Sequence, residues 1–335
     1  MEEILWLRIF KTIVGIVGIL GNGLVCLVIG NVSSMQTRTN AFIFHQAAVD
    51  LLGSLMILLQ SGVPLPDQMP DGVLGLIVCN VWYSNFSLFL LFVISTLNLL
   101  SLTLERYFAI VHPFRYQAAF AKRPKLKVGV VIAVCWILGT VIKSYSLTIF
   151  KVQDGKCVSN AANRSKVIGS LTTVLQYIVP VAVMLFAYIR ISVELKRGAA
   201  RVGPAPSVIS SAAGASNGDG NAQPAGLMES LLRARRNTFK MLWIVFITFL
   251  VCWTPNQTIF LMFNLGWKLN YDGWYYLLSV AMVAANCCVN PVIYAFKYRQ
   301  FRKGLRELFC SRRINREEAV NSATSCRHSL HGELG

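Results

Sequence analysis

Asp50 is a carboxylate inside a long apolar segment, residues 41–63, where charged groups are otherwise absent. An unpaired charge at such a position is costly in a bilayer, so it needs partners. Other apolar segments carry hydroxyl and amide side chains that could supply them: Asn22, Ser95, Asn286 and Asn290. Carboxylate and hydroxyl oxygens suit a hard cation. A structural polar network that specifies helix packing is the alternative, and the cation is the favoured interpretation.

A charged triplet and two prolines mark further positions with a mechanism. Glu105-Arg106-Tyr107 ends a long apolar run, and Arg106 keeps its charge at any physiological pH. Pro255 and Pro291 stand within apolar runs, where proline removes a backbone donor and kinks a helix. The sequence therefore predicts two hinges.

Catalytic chemistry is not indicated. An intramembrane enzyme needs paired Asp residues, a Ser-His pair or clustered His residues. Asp50 has no second carboxylate in its segment, and the histidines lie on or near the predicted cytoplasmic side: His45, His112, His328 and His331. We expect a protein without enzymatic activity.

The elements that must position these residues are membrane helices. Of 335 residues, 55% are hydrophobic and only 14% are charged, which is too apolar for a soluble domain. Seven stretches reach the roughly 20 residues that a crossing helix needs. They span residues 8–30, 41–63, 76–109, 127–149, 167–193, 237–264 and 274–296. Their apolar runs are continuous, whereas a β-barrel alternates, so we expect an all-α membrane protein with a seven-transmembrane helix bundle.

The net charge of +17 is concentrated in three clusters: one between predicted helices three and four, one between five and six, and one after helix seven. Positive residues mark the cytoplasmic side, so the short N-terminus, residues 1–7, is predicted outside and the C-terminus inside. Such clusters also bind anionic membrane lipid. Their placement argues against nucleic acid as a partner.

Composition divides the rest of the chain. The predicted seven-helix bundle covers residues 8–296 and contains a predicted disordered third cytoplasmic loop, 198–226, rich in Gly, Ala, Ser and Pro. Residues 297–310 have the spacing of a short amphipathic eighth helix on the membrane surface, and 311–335 form a predicted disordered tail. Cys310 is a candidate palmitoylation site beside basic residues. Neither inverted repeats nor a polar path supports a polytopic transporter, the least favoured alternative.

Taken in order, one motif per helix resembles the rhodopsin-like (class A) G-protein-coupled receptors, from about Gly21 to Cys310. The motifs are Asn22, Asp50, Glu105-Arg106-Tyr107, Trp136, Pro180, Trp253-Thr254-Pro255 and Asn290-Pro291 with Tyr294. The resemblance implies a plasma-membrane receptor that activates heterotrimeric G proteins by rearranging helices six and seven. Arrestin and a receptor kinase are further implied partners. The implied switch residues are Glu105, Arg106, Tyr107, Tyr188, Phe249, Trp253, Pro255, Asn290, Pro291 and Tyr294. Arg106 is expected to pair with Glu105 at rest and to turn toward the G protein and Tyr188 on activation.

The resemblance also implies an allosteric sodium ion, with no other cofactor, at Asp50, Ser95, Asn286 and Asn290. It implies a disulfide between Cys79 and Cys157, and Asn163 is a credible glycosylation site in the second outer loop. Cys79 lies further from Arg106 than is usual in the family, so the top of helix three is expected to bulge or begin differently. Arg235 occupies a position that is acidic in many relatives, which predicts the absence of a second ionic contact there.

Two residue positions argue against an amine and against retinal as the ligand. Leu88 stands where amine receptors of this family carry an Asp, and residues 274–296 lack the Lys that an opsin needs. The remaining predicted pocket combines amides with aromatic rings: Gln60, Phe89, Phe92, Trp253, Asn256, Gln257, Phe260 and Tyr276. Amide groups among aromatic rings suit a ligand rich in peptide bonds. A short peptide is the preferred ligand, because helix six is also similar to that of several neuropeptide receptors; a lipid or small neutral metabolite is the alternative.

Overall fold

The computed structural model describes residues 5–63, 66, 68–159, 165–202, 224–267, 270 and 273–309. Seven helices within them are long and apolar enough to cross a membrane, which confirms the predicted bundle. They are α1 (Leu5–Asn31), α2 (Arg38–Gly62), α3 (Phe86–Val111), α4 (Pro124–Ser144), α5 (Lys166–Thr173, Val174–Ile178 and Val179–Val202 in succession), α6 (Pro224–Asn264) and α7 (Trp274–Lys297). Residues 299–309 are also helical, at the place predicted for the eighth helix.

The distribution of side chains is that of a protein in lipid. Large apolar residues point outward: Leu20 is 69% exposed, Ile137 62% and Val141 64%. Polar residues point inward, and Asp50 is only 2% exposed. Because hydrocarbon offers polar groups no hydrogen bonds, this arrangement places them where neighbouring helices can satisfy them.

Small residues set how closely the helices approach. A Cβ atom added at Gly21 of α1 would lie 2.9 Å from Cβ of Pro291 on α7. A Cβ atom at Gly139 of α4 would lie 2.8 Å from a side-chain carbon of Ile94 on α3. Glycine at these crossings lets the backbones come close, as is common between membrane helices. The first crossing holds the Asn290-Pro291 segment against α1.

The top of the third helix departs from the predicted span of 76–109. A short helix, Gly72–Ile77, runs into a π-helical segment, Val78–Tyr83, and Asn85 is left-handed at φ 56° before α3 begins. Asparagine tolerates this conformation better than most residues, and a π-helical turn accommodates extra residues within a helix. These two features accommodate the additional residues between Cys79 and Arg106.

The loops contain one element that the all-α prediction omitted. Strands β1 (Phe150–Gln153) and β2 (Lys156–Ser159) pair antiparallel in the second outer loop, with Val152 opposite Cys157. Asp154 and Gly155 form the turn with positive φ at both positions, as a two-residue hairpin requires. On the opposite side, a short helix, Pro113–Ala119, lies between α3 and α4.

Several predicted boundaries shift. Helix α1 begins at Leu5 rather than residue 8. Both helices beside the predicted loop 198–226 extend into it: α5 continues to Val202, and α6 begins at Pro224. The residues that extend them include Ala, Leu, Arg and Glu, which favour helices. Asn163, Cys310 and the tail 311–335 lie outside the described residues, so the modifications predicted there stay predictions.

Candidate functional site

The outer ends of the helices are joined by a disulfide. Cys79 and Cys157 are bonded, with their Cα atoms 5.4 Å apart, which confirms the predicted pair. Cys79 lies in the π-helical segment that leads to α3, and Cys157 lies on β2. The bond therefore fixes the hairpin of the second outer loop above the third helix.

Four aromatic residues form a continuous row below it, which we call the aromatic row: Phe89, Phe92, Trp253 and Phe249. Phe89 packs edge-on against Phe92 with ring centroids 6.1 Å apart, and Phe92 packs edge-on against Trp253 at 5.2 Å. Trp253 in turn lies 6.0 Å from Phe249. The structure thus brings two predicted ligand residues on α3 together with the predicted switch residues on α6. Of these, Trp253 lies two positions before Pro255.

Two amide contacts join the helices around this row. Gln176 of α5 donates from Nε2 to Oε1 of Gln257 on α6, at 3.0 Å. Asn256 donates to the hydroxyl of Ser279 on α7 at 3.3 Å. The Oε1 atom of Gln176 is buried without a hydrogen-bond partner. The sequence prediction included Asn256 and Gln257 but missed Gln176, whose position in the apolar run of α5 was the available signal.

The remaining predicted ligand residues are more dispersed. Gln60, Phe260 and Tyr276 are half-buried on α2, α6 and α7. The Nε2 atom of Gln60 is buried without a hydrogen-bond partner. Their place in a ligand pocket stays a prediction.

Asp50 accepts hydrogen bonds from three side chains. Ser95 donates to Oδ1 at 3.1 Å and Asn290 donates to Oδ2 at 2.8 Å. Gln46, which sequence analysis did not select, approaches both carboxylate oxygens at 3.2 Å and also donates to Ser95 Oγ. Its signal was its place one helical turn before Asp50, since residues four apart share a helix face.

Two expected partners of Asp50 have other surroundings. Asn22 donates instead to the backbone carbonyls of Gly18 and Cys287, at 2.9 and 2.7 Å. Asn286 is buried on α7, one turn before Asn290. A cation at Asp50, Ser95, Asn286 and Asn290 stays a prediction. The Gln46 amide already contacts Asp50 and Ser95, which makes these residues a poor fit to a cation.

The contacts of Gln46 continue outward to α4. Asn98 donates to Gln46 Oε1 at 2.8 Å, and its Oδ1 lies 2.8 Å from Nδ1 of His45. Trp136 donates from Nε1 to Nε2 of His45 at 3.0 Å. Since Nε2 accepts, Nδ1 carries the proton and donates to Asn98. An unbroken hydrogen-bonded chain therefore runs from α4 through α2 and α3 to Asp50 and Asn290.

At the C-terminal end of α3, which is predicted to be cytoplasmic, Arg106 is held by its neighbour Glu105. Its Nε and Nη2 atoms donate to the two carboxylate oxygens at 2.5 Å each. Glu105 is buried and also accepts from Tyr116 and, at 3.5 Å, from Thr39. From residue 235 onward α6 has no acidic side chain, and Arg235 is exposed there.

These residues border a cavity of about 430 Å³ at the same end of the bundle. Its lining includes Thr39, Arg106, Tyr116, Arg235, Thr238 and Tyr298. Burial raises the pKa of Tyr298 to about 12, so its hydroxyl stays protonated and donates to Asn40 at 2.6 Å. The cavity opens between the inner ends of the helices that the predicted switch would move.

In this conformation, the tyrosines assigned to the switch contact side chains and backbone groups of neighbouring helices. Tyr188 of α5 donates to the carbonyl of Leu242 on α6 at 3.1 Å and accepts from Thr103 at 3.2 Å. Tyr294 is buried, with its ring 6.5 Å from that of Tyr298. Tyr107 packs on Phe186, at 6.2 Å between centroids. With Arg106 paired to Glu105, this is the arrangement predicted for a resting state.

The fold and site are those of a helical membrane receptor. An aromatic and amide cluster lies at one end of the bundle, a hydrogen-bonded polar chain crosses it, and a cavity around the paired Arg106 lies at the other end. The chain belongs to the 7 transmembrane receptor (rhodopsin family), whose model matches residues 21–294. It is 27% identical to galanin receptor 2a of Danio rerio, over 96% of this chain and 84% of that protein. It is 25% identical to the QRFP-like peptide receptor of Branchiostoma floridae, over 92% and 78%. It is also 24% identical to the histamine H2 receptor of Homo sapiens, over 92% and 81%.

Proposed function

We propose that this receptor binds a short extracellular peptide and activates a heterotrimeric G protein. The observation that carries the proposal is the aromatic row, which joins predicted ligand residues on α3 to Trp253 beside the Pro255 kink. A ligand that moves Phe92 must also move Trp253, because their rings are in contact. Since Pro255 removes a backbone donor, α6 can bend at this point.

The chemistry of the outer cluster favours a peptide. Gln176 and Gln60 each have a buried polar atom without a hydrogen-bond partner. Gln257 is hydrogen-bonded to Gln176, and Asn256 to Ser279 across the interface of α6 and α7. Peptide groups both donate and accept, so they can satisfy such amides. Galanin and QRFP-like peptide receptors among the relatives support the same class of ligand.

Two observations bear on the alternatives. Leu88 faces the core of the bundle at the position where an amine receptor would use a carboxylate, so the histamine receptor among the relatives does not transfer its ligand. A lipid or small neutral metabolite remains the second candidate, supported by the aromatic rings alone.

Activation is a shift of population between the described conformation and one with an open inner cavity. Release of Arg106 from Glu105 frees a permanent charge toward the G protein, and Tyr188 becomes its new partner. We also propose that the basic loops lie at the cytoplasmic face, with the N-terminus outside. A receptor kinase, arrestin and anionic membrane lipid are proposed as further partners on that face.

The test is G-protein activation in cells that express the chain, exposed to tissue extract with or without prior protease treatment. A peptide receptor responds only to the untreated extract. Arg106→Ala is the matched control: it reaches the cell surface but does not activate nucleotide exchange. A response that survives protease would replace the peptide by the second candidate, and full signalling by the Arg106 variant would overturn the switch.

A further inference from the structure

Lys143 is a buried cation at the outer end of α4. It lies in the last turn of the helix and is only 9% exposed. Its Nζ atom lies 5.2 Å from the ring centroid of Phe89 on α3, so the side chain points into the bundle. In the described part of the chain, the ion pairs are Arg106–Glu105 and Arg197–Glu194, and Lys143 takes part in neither.

A structural role explains this position incompletely. A cation near a helix C-terminus interacts favourably with the helix dipole, but an exposed lysine would do so without the cost of burial. Contact with an aromatic face offsets part of that cost. A buried ammonium group is otherwise stabilised by a counterion that also accepts its hydrogen bonds.

Lys143 has no ion-pair partner among the residues that the structure describes, and its location connects it to the ligand. Phe89, which the ammonium group faces, is the outer end of the aromatic row that reaches Trp253. From Phe86 to Leu104, α3 has no acidic side chain that could serve instead. An anion bound at Lys143 would therefore sit beside the residues that lead to the hinge in α6.

We propose that Lys143 forms an anion subsite that binds a carboxylate of the ligand. This inference rests on the proposed peptide-receptor function and narrows it to peptides with a free C-terminal carboxylate or an acidic side chain. The ammonium group donates to the carboxylate, and the charge pair replaces the contact with Phe89. Binding then releases the outer end of the aromatic row.

The experiment uses three pools of short synthetic peptides on cells that express the receptor. One pool has free C-terminal carboxylates and no Asp or Glu, the second is amidated and contains them, and the third is amidated and lacks them. We expect a response to the first or second pool, which identifies the source of the carboxylate, and none to the third. Lys143→Met should weaken the response at least tenfold, and Lys143→Arg should largely retain it.

Two results would overturn the subsite: activation by the third pool, or an equal response of the Lys143→Met variant. If no peptide pool activates the receptor but protease-treated extract does, the peptide proposal fails. The Lys143→Met and Lys143→Arg variants are then compared with that extract, which still tests the anion subsite. A ligand-free measurement completes the test. The purified Lys143→Met receptor should melt at a higher temperature than the wild type, whereas a lower temperature would show that contacts within the protein already stabilise the buried ammonium group.

A second inference rests on different contacts, those of Gln46. Its amide nitrogen lies 3.2 Å from each carboxylate oxygen of Asp50 and donates to Ser95 Oγ. These are oxygens that the family resemblance assigns to sodium. Gln46 is itself held in place, because Asn98 donates to its Oε1 at 2.8 Å and to the carbonyl of Phe42 at 3.0 Å.

We infer that the Gln46 amide takes the place of the cation and makes the receptor insensitive to sodium. An N–H donor satisfies the same carboxylate that a cation would neutralise, and both cannot occupy one position. The neutral amide is part of the chain, so its presence does not depend on the concentration of any ion.

The test compares basal nucleotide exchange and melting temperature in sodium chloride and in choline chloride at equal ionic strength. The wild type should give the same values in both salts. Gln46→Leu should acquire stabilisation by sodium, and Gln46→Leu with Asp50→Asn should lose it again. A sodium-specific shift in the wild type that Asp50→Asn removes would overturn the inference, as would a Gln46→Leu variant that ignores sodium.

Discussion

Tyr116, in the loop between α3 and α4, donates its hydroxyl hydrogen to Glu105, the carboxylate that holds Arg106. The guanidinium group of Arg38 lies over the Tyr116 ring, 5.2 Å from its centroid. Burial first, and then the charge of Glu105, raise the pKa of Tyr116 above its usual value. The hydroxyl therefore stays protonated in the neutral range, and this contact is lost only as pH rises through the raised pKa. The loop thus takes part in keeping the arginine paired.

Tyr116→Phe should raise basal signalling. The change removes one donor to Glu105 and keeps the ring beneath Arg38, so its effect is that of a single hydrogen bond, about 1–2 kcal/mol. We expect a several-fold increase in ligand-free nucleotide exchange at matched surface expression. Tyr83→Phe, on the outer side where the ring contacts Phe150, is the control and should leave exchange unchanged. Unaltered basal exchange in Tyr116→Phe would show that the loop contact does not restrain Arg106.

The amide pair of Gln176 and Gln257 distinguishes a ligand contact from a structural one. Gln257→Leu leaves the Gln176 amide buried without its acceptor, which costs about 1–3 kcal/mol of stability. Replacing both by Leu removes the unpaired group, so the melting temperature should recover in part. Potency of the activating extract should stay reduced in the double variant, because no amide is left for the ligand. Recovery of both stability and potency would assign the pair to helix packing alone.

The hydropathy of the chain was sufficient to predict seven helices, because each crossing requires about 20 apolar residues whatever its neighbours. The disulfide followed from the resemblance, and Arg106 is paired with Glu105 as expected for a resting state. Contacts that depend on which faces meet could not be predicted in this way. Gln46 lies one turn before Asp50, but its contact with Asn98 arises only because α2 packs against α3. His45 had no motif to mark it, and its role arises because it lies between Asn98 of α3 and Trp136 of α4.

The top of α3 shows a second limit. The additional residues between Cys79 and Arg106 predicted an irregularity, and its form depended on local backbone geometry. The structure has both a π-helical segment and a left-handed Asn85 at this point. Hydropathy does not distinguish either feature from a straight helix. The hairpin of the second outer loop was missed for a similar reason, since strands of four residues carry little periodicity.

Gly21→Ala should destabilise the receptor where α1 and α7 cross. The new methyl group would lie 2.9 Å from Cβ of Pro291, and a proline ring cannot rotate away. Forced separation of closely packed groups costs about 1–3 kcal/mol, so the melting temperature should fall. Gly23→Ala is the matched control, because its methyl group would make an ordinary contact of 3.6 Å with Leu51. Equal melting temperatures for the two variants would mean that α1 can shift without cost.

Trp136→Phe should destabilise the bundle through His45, to which Trp136 donates its indole hydrogen at 3.0 Å. The variant keeps an aromatic ring on α4 but leaves Nε2 of His45 without its donor. Because the other ring nitrogen must stay protonated to serve Asn98, His45 cannot compensate by exchanging tautomers. We expect a loss of about 1–2 kcal/mol. The measurement is a double-mutant cycle of melting temperatures with His45→Phe. Coupling of about 0.5–3 kcal/mol is expected for residues in one network. Additive effects would show that α4 is not joined to the Asp50 network through this bond.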